Sequence, residues 1–159
     1  MIVGSIKENL TSERRVSLTP ETAKNIIGLG LKVYIEKEYA SHLGINDEEY
    51  LKNGVEVKNS SIDVLNSCNL LLKVNCPSEE EIKNFREKTI LVGMFNPPKN
   101  KKNIDEMLKK KINVFSLELL PRITRAQSMD VLSSQSNLAG YRAVVDCIYE
   151  FEKAVPMMM

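Results

Sequence analysis

Leu70-Leu71-Leu72-Lys73-Val74 is a short apolar run interrupted by one lysine and closed off downstream by Pro77. A strand with one wet face alternates apolar and polar residues, whereas an unbroken apolar run suits a parallel strand buried on both faces. Outward from it, strand-like and helix-like segments alternate. Upstream, residues 2–6 form a β-rich run. Thr19 then caps a helix with Pro20 at its first position and Ala23, Ile26, Ile27 and Leu29 as its apolar residues, and Gly28 and Gly30 end it. Residues 31–35 read as a second strand and 55–57 as a short third, while Ile62, Val64 and Leu65 start a brief helix. Residues 40–50 read as a polar excursion holding the sole histidine, His42, an unpartnered loop residue. Downstream, Ser78 before Glu79, Glu80 and Glu81 is a helix start, and that helix is expected to run through Phe85. Residues 89–95 make a strand. Residues 103–111 make a helix with Ile104, Met107 and Leu108 on one face, and 112–117 make a further strand. The alternation predicts a parallel sheet covered by helices on both sides. Ligands of such sheets meet the loops at the carboxyl ends of the strands, so Lys73, Asn96 and a loop at Arg122 are expected to converge on one rim.

The 159 residues are enough for one domain with a real core. Lys and Arg total 22 against 21 Asp and Glu, a balance that gives nucleic-acid binding no support. The lysines at 99, 101, 102 and 109–111 read as solvated helix ends. Cys68, Cys76 and Cys147 have neither metal-ligand spacing nor an even count for a disulfide framework, so no metal is expected. Cys147 lies in a helical apolar pattern and reads as a small core residue, which fits a reducing compartment. No stretch is apolar for the ~18 residues of a membrane helix, and the start reads as a strand rather than a signal peptide, so a soluble chain without membrane insertion is expected. Residues 155–159, Val-Pro-Met-Met-Met, follow a helix with an apolar end that reads as an interruption.

A polar loop separates the last strand from a long amphipathic helix. Residues 121–130 gather Arg122, Arg125, Gln127, Ser128 and Asp130, offering donors and acceptors where α/β proteins hold ligands. The set suits a planar, amide-bearing ligand. It equally suits a surface ion pair of Arg122 or Arg125 with Asp130, with Ser128 capping the next helix. In that helix Leu138, Tyr141, Val145 and Ile148 follow helical spacing, while Ala139, Gly140 and Ala143 leave a face without bulk. Gly140 costs a helix roughly 1 kcal/mol against Ala, so a close neighbour is expected there.

These landmarks resemble the alanine dehydrogenase/transhydrogenase family. Lys7-Glu8, Glu13-Arg14-Arg15-Val16, Thr19-Pro20 and Gly28-Leu29-Gly30 are similar to its opening signature. The run 121–142, with Tyr149-Glu150-Phe151 and Pro156-Met157-Met158-Met159, is similar to the alpha subunits of proton-translocating NAD(P) transhydrogenases. Ile6 stands where the family usually has proline.

The resemblance implies a three-layer α/β parallel sheet, flavodoxin-like or Rossmann-like, with residues 1–159 as the family's N-terminal domain. It implies a long helix over 134–153 leading toward a Rossmann NAD-binding half, whose G-x-G-x-x-G loop these residues lack. The implied activity is hydride transfer between NAD(H) here and NADP(H) on a partner domain, coupled to proton movement through a membrane domain. Arg122, Gln127 and Asp130 match the nicotinamide-contacting positions, with Ser133 as a further polar contact. The implied partners are the rest of the subunit, the NADP-binding and membrane domains, and a second copy in a homodimer. The implied location is cytoplasmic and peripheral to the inner membrane, or the mitochondrial matrix in a eukaryote. Arg15 and Lys73 match positions that hold and polarise a keto acid in alanine dehydrogenases, whose acid-base histidine falls at Asn96 here, and asparagine shuttles no proton. Two other readings remain: the N-terminal domain of an alanine dehydrogenase-like amino-acid dehydrogenase, and a non-catalytic α/β dimerisation or binding module.

Overall fold

The computed structural model describes residues 1–154 and falls into two units, one ending at Leu117 and one beginning at Glu118. The expectations for residues 155–159 lie outside the described residues.

The first unit is a six-stranded sheet of β1 (Ile2–Ser5), β2 (Lys32–Glu36), β3 (Glu56–Lys58), β4 (Leu70–Leu72), β5 (Ile90–Gly93) and β6 (Asn113–Ser116). Every pair is parallel and the order is β3-β2-β1-β4-β5-β6. The helices between them are α1 (Pro20–Gly28), α2 (Asp47–Lys52), α3 (Ser61–Ser67), α4 (Glu79–Lys83) and α5 (Lys101–Lys109). The expected parallel α/β sheet is what forms, with most elements ending a residue or two from their anticipated limits.

Strand alternation splits the core in two. Val3, Val33 and Ile35 face one side with Ala23, Tyr39 and Tyr50, and Tyr34, Leu71 and Leu91 face the other with Val64, Phe95 and Met107. Gly4 lies on the α3 side of β1, where a Cβ would stand 2.8 Å from the Cβ of Cys68, so only glycine lets the helix sit this close. The α1 start is as the sequence predicts: Thr19 accepts from the Thr22 N–H, Pro20 opens the helix, and Gly30 leaves it at φ +80°.

Three expectations for the first unit are corrected. Residues 40–50 are no polar excursion, because they hold a turn of 3-10 helix (Ser41–Leu43) and α2, and Ala40 and Tyr50 are core residues. The acidic surface residues hid the burial, whose signal was the amphipathic Tyr50; its hydroxyl donates to the Leu18 carbonyl at 2.8 Å. His42 has a partner, its Nε2 lying 2.7 Å from the Arg14 carbonyl oxygen. Leu108 is 72% exposed, so Met107 alone of that pair belongs to the core.

The second unit holds a 3-10 segment (Thr124–Met129) and α6 (Val131–Glu150), a 20-residue helix set three residues earlier than expected. Cys147 is exposed, not a core residue; Cys68 is the buried cysteine, and burial pushes its thiol up to about 11. Periodicity along a helix marks an apolar stripe but not what covers it. No residue of α6 is buried, and among the described residues no atom outside the helix's own adjacent backbone lies within 4 Å of a Cβ placed on Gly140. Among the described residues no helix is long and apolar enough to cross a membrane.

Candidate functional site

The strand order reverses direction between β1 and β4, and the segments leaving the carboxyl ends of these neighbours diverge to opposite sides. That divergence opens the crevice in which doubly wound sheets bind ligands. Here it is a cavity of about 470 Å³ lined by residues that follow β1, among them Lys7, Glu8 and Ser12, by Lys73, Asn75 and Ser78 after β4, by Glu81 of α4 and by Asn103 of α5.

Its wall is ionic. Lys73 is one residue beyond β4 and 5% exposed, and its Nζ donates to Glu81 Oε1 at 2.7 Å and to the Lys7 carbonyl at 3.3 Å. Glu8 Oε2 lies 3.8 Å from the same ammonium, and Glu8 Oε1 accepts from the Val74 N–H at 2.7 Å. Burial pushes the Glu8 carboxyl above its ordinary range, against the Lys73 charge and the N–H groups of Val74 and Asn75. Glu81 has a second duty in α4, where its Oε2 accepts from the Ser78 N–H and the Ser78 hydroxyl accepts from the Glu81 N–H, a capping box. Gly93 completes the support: a Cβ there would stand 1.9 Å from the Lys73 carbonyl oxygen, so β5 can hold the Lys73 backbone only with glycine opposite.

Arg15 is bound to Glu13, with Nη2 to Oε2 at 2.6 Å and Nε to Oε1 at 2.9 Å. This fork holds the Glu13 carboxyl below its ordinary range and raises the guanidinium. The segment carrying it is pinned from beneath: the Tyr39, Ser5 and Ser17 hydroxyl oxygens form a hydrogen-bonded cluster with separations of 2.7–3.1 Å, and both serine hydroxyls lie 3.0 Å from the Leu72 carbonyl oxygen. Asn96, with φ +43°, turns the chain after β5 and lies outside the set that lines the cavity.

The polar loop belongs to the second unit. Arg122, Gln127 and Ser133 are exposed. Asp130, and not Ser128, caps α6: its Oδ1 accepts from the Ser133 N–H at 3.0 Å and its Oδ2 from the Ser133 hydroxyl at 2.6 Å. These bonds, the Ser133 hydroxyl first, hold the Asp130 carboxyl below its ordinary range, with Arg122 adding a weaker pull from further away. Among the described residues no ion pair joins Asp130 to Arg122 or Arg125. Asp130 and Ser133 are thus brought together, Lys73 is brought to the cavity, and Arg15 sits on Glu13.

A family profile described as "Alanine dehydrogenase/PNT, N-terminal domain" matches residues 4–139. The chain belongs to this family. Over its whole length it is 37% identical to an NAD(P) transhydrogenase alpha-subunit protein of Rickettsia prowazekii and 38% identical to its namesake from Rhodospirillum rubrum. A solved transhydrogenase from Sinorhizobium meliloti superposes on all of it with TM-score 0.92 and 42% identity, the chain covering 47% of that structure. The chain spans 43% of each of the two curated relatives. As an alanine dehydrogenase/PNT N-terminal domain it has the Rossmann-like parallel sheet that the sequence predicts.

Sequence reasoning found Lys73 but missed Glu8 and Glu81 as its partners. Spacing offers no link among positions 8, 73 and 81. The available signal was physical: a lysine inside an apolar run cannot be buried without a carboxylate, and the nearest acidic candidates follow β1 and open α4.

Proposed function

We propose that this domain is the N-terminal part of the NAD(H)-binding component of an NAD(P) transhydrogenase, a reading carried by similarity along the whole of this chain to part of transhydrogenase alpha subunits. A dinucleotide-binding half outside these residues holds the pyrophosphate, α6 leads toward it, NADP(H) sits on a partner domain, and a membrane domain couples hydride transfer to proton movement. The subunit is a homodimer on the cytoplasmic or matrix side of the inner membrane.

Gln127 is the loop residue best fitted to the nicotinamide, since its exposed amide both donates to and accepts from a carboxamide. Arg122 supplies a further donor. Asp130 and Ser133 act together through the α6 cap and set the loop's end in place. The nicotinamide, when bound, supplies the hydride chemistry, and the protein's role is to hold the ring and keep water out. Lys73 holds the wall of the β1–β4 crevice, and Arg15, forked by Glu13, holds the segment after β1 in shape. With asparagine at position 96, amino-acid dehydrogenation lacks its proton carrier.

The test joins this domain to the remainder of the Rhodospirillum rubrum alpha subunit and supplies the relative's partner subunits. Reduction of an NADP+ analogue by NADH is expected, and Gln127→Ala should slow it. NADH formation from NAD+ and L-alanine, without transhydrogenation, would instead assign the chain to amino-acid dehydrogenation.

A further inference from the structure

Every strand pair is parallel, so the segments that enter the strands gather at one edge of the sheet, opposite the edge where the β1–β4 crevice opens. The segments entering the neighbours β5 and β6 make this amino edge basic. Lys83 and Lys109 end α4 and α5, and Arg86, Lys88, Lys110 and Lys111 follow them. The whole chain carries a net charge of only +1, so the concentration is one of placement and not of composition. Carboxylates nearby do not cancel it. Glu106 is held by Lys109, Glu56 at the start of β3 is held by Lys58, Asp105 lies a turn back along α5, and Glu87 remains. Among the described residues no ion pair reaches Lys83, Arg86, Lys88 or Lys111.

Helix ends attract cations, but that does not account for the whole cluster. The Lys110 ammonium donates to the Lys83 carbonyl at the end of α4, and Lys109 serves the last turn of α5. Arg86, Lys88 and Lys111 lie beyond those turns and are exposed. Lys88 and Lys111 also hold φ of +63° and +56°, a conformation that glycine or asparagine adopts with less strain. The same edge exposes aliphatic side chains: Leu108 in the last turn of α5, and Leu29, 79% exposed, at the end of α1 close to the exposed Lys32. With neighbouring strands ~4.8 Å apart, β2 to β6 spans roughly 20 Å, so the two leucines and the cations flank one broad face.

We propose that the amino edge of the sheet is a docking surface for an anionic lipid bilayer, the cations meeting headgroup phosphates and Leu29 and Leu108 entering the boundary with the acyl chains. Cations beside exposed aliphatic side chains are the combination that interfacial adsorption uses. A single-stranded nucleic acid would need exposed rings to stack on, and the aromatic residue of this stretch, Phe85, is buried. Adsorption through this edge leaves the crevice open on the opposite one. The inference goes beyond the transhydrogenase reading and does not rest on it.

The experiment floats the 159-residue chain with vesicles of phosphatidylcholine alone or of phosphatidylcholine and phosphatidylglycerol in equal parts. Wild type should float with the mixed vesicles, stay behind with phosphatidylcholine alone, and be released as salt is raised. Lys88→Asn combined with Lys111→Asn suits the left-handed backbone and keeps the fold, and the loss of two cations should weaken partition about thirtyfold. Leu108→Ser should weaken it severalfold at unchanged charge. Failure of the folded wild type to float with the mixed vesicles would overturn the proposal, as would equal partition of the double variant. Capture on immobilised polyglutamate without vesicle binding would also overturn it, assigning the edge to an acidic protein instead. The readout involves neither nucleotide nor hydride transfer, so its failure is separate from failure of the transhydrogenase reading.

Discussion

Glu8 is a buried carboxylate with a charge partner that only partly offsets its burial, and this fixes how it couples to pH. Its folded-state proton affinity exceeds that of the unfolded chain, so above the ordinary glutamate range the folded state holds more protons and stability falls as pH rises through the raised value. Glu13 has the opposite sign: its lowered carboxyl contributes stability above the ordinary range that is lost as pH falls through the depressed value. Urea unfolding of Glu8→Gln across roughly pH 4 to 8 should therefore show a flatter decline toward neutral pH than wild type; an unchanged slope would mean that Glu8 does not contribute it. Tyr39 tests the pinning beneath the Arg15 segment. Removing its hydroxyl in Tyr39→Phe leaves the Ser17 N–H and two serine hydroxyls with fewer partners in a buried place, and it should cost about 1–3 kcal/mol in denaturant unfolding. A loss within error would show that the serines and the Leu72 carbonyl suffice.

Elements were legible in the sequence wherever short-range chemistry sets them. The apolar run at 70–74, the Thr19-Pro20 start and the Ser78-x-x-Glu81 box each specify a local conformation, and each element formed there. Legibility failed where an element depends on remote packing. Tyr50 in α2 is buried by contacts with Tyr39 and Leu18, which no local pattern encodes, and the exposure of Cys147 reflects an uncovered helix face that periodicity alone reads as core. Gly93 shows the same dependence between strands: nothing beside it in sequence marks it, yet the Lys73 carbonyl fills the space its side chain would take. Gly93→Ala should destabilise the domain by about 1–3 kcal/mol or more, because backbone and not a flexible side chain must give way, and thermal unfolding would show it. In α6, Asp130→Ala should fray the first turn and speed amide exchange at residues 131–134, whereas Asp130→Asn should largely restore the cap.

At the scale of the molecule, the crevice between β1 and β4 and the loop from Arg122 to Ser133 lie in separate units, and each was legible to a different degree. The sequence pointed to the carboxyl ends of the strands but not to the strand order; the order β3-β2-β1-β4-β5-β6 places the crevice, and its ionic wall depends on residues that meet only after folding. The loop was legible as polar and donor-rich, but the commitment of Asp130 to a helix cap was not, since Ser128 fits a cap equally well by type. Neither place supplies a glycine-rich turn at the amino end of a helix, the element that binds a pyrophosphate through backbone N–H groups and the helix dipole. Much of the affinity of a dinucleotide site comes from that element, and in the proposed reading Gln127 and Arg122 add only side-chain contacts to one end of the ligand. The 159-residue chain should accordingly bind NADH weakly, with no saturation in the micromolar range by calorimetry or nucleotide fluorescence, and joining it to a dinucleotide-binding half should restore tight binding. A micromolar dissociation constant for this chain alone would mean that the loop and crevice form a complete nucleotide site, and the division of labour proposed between the two halves of the subunit would have to be abandoned.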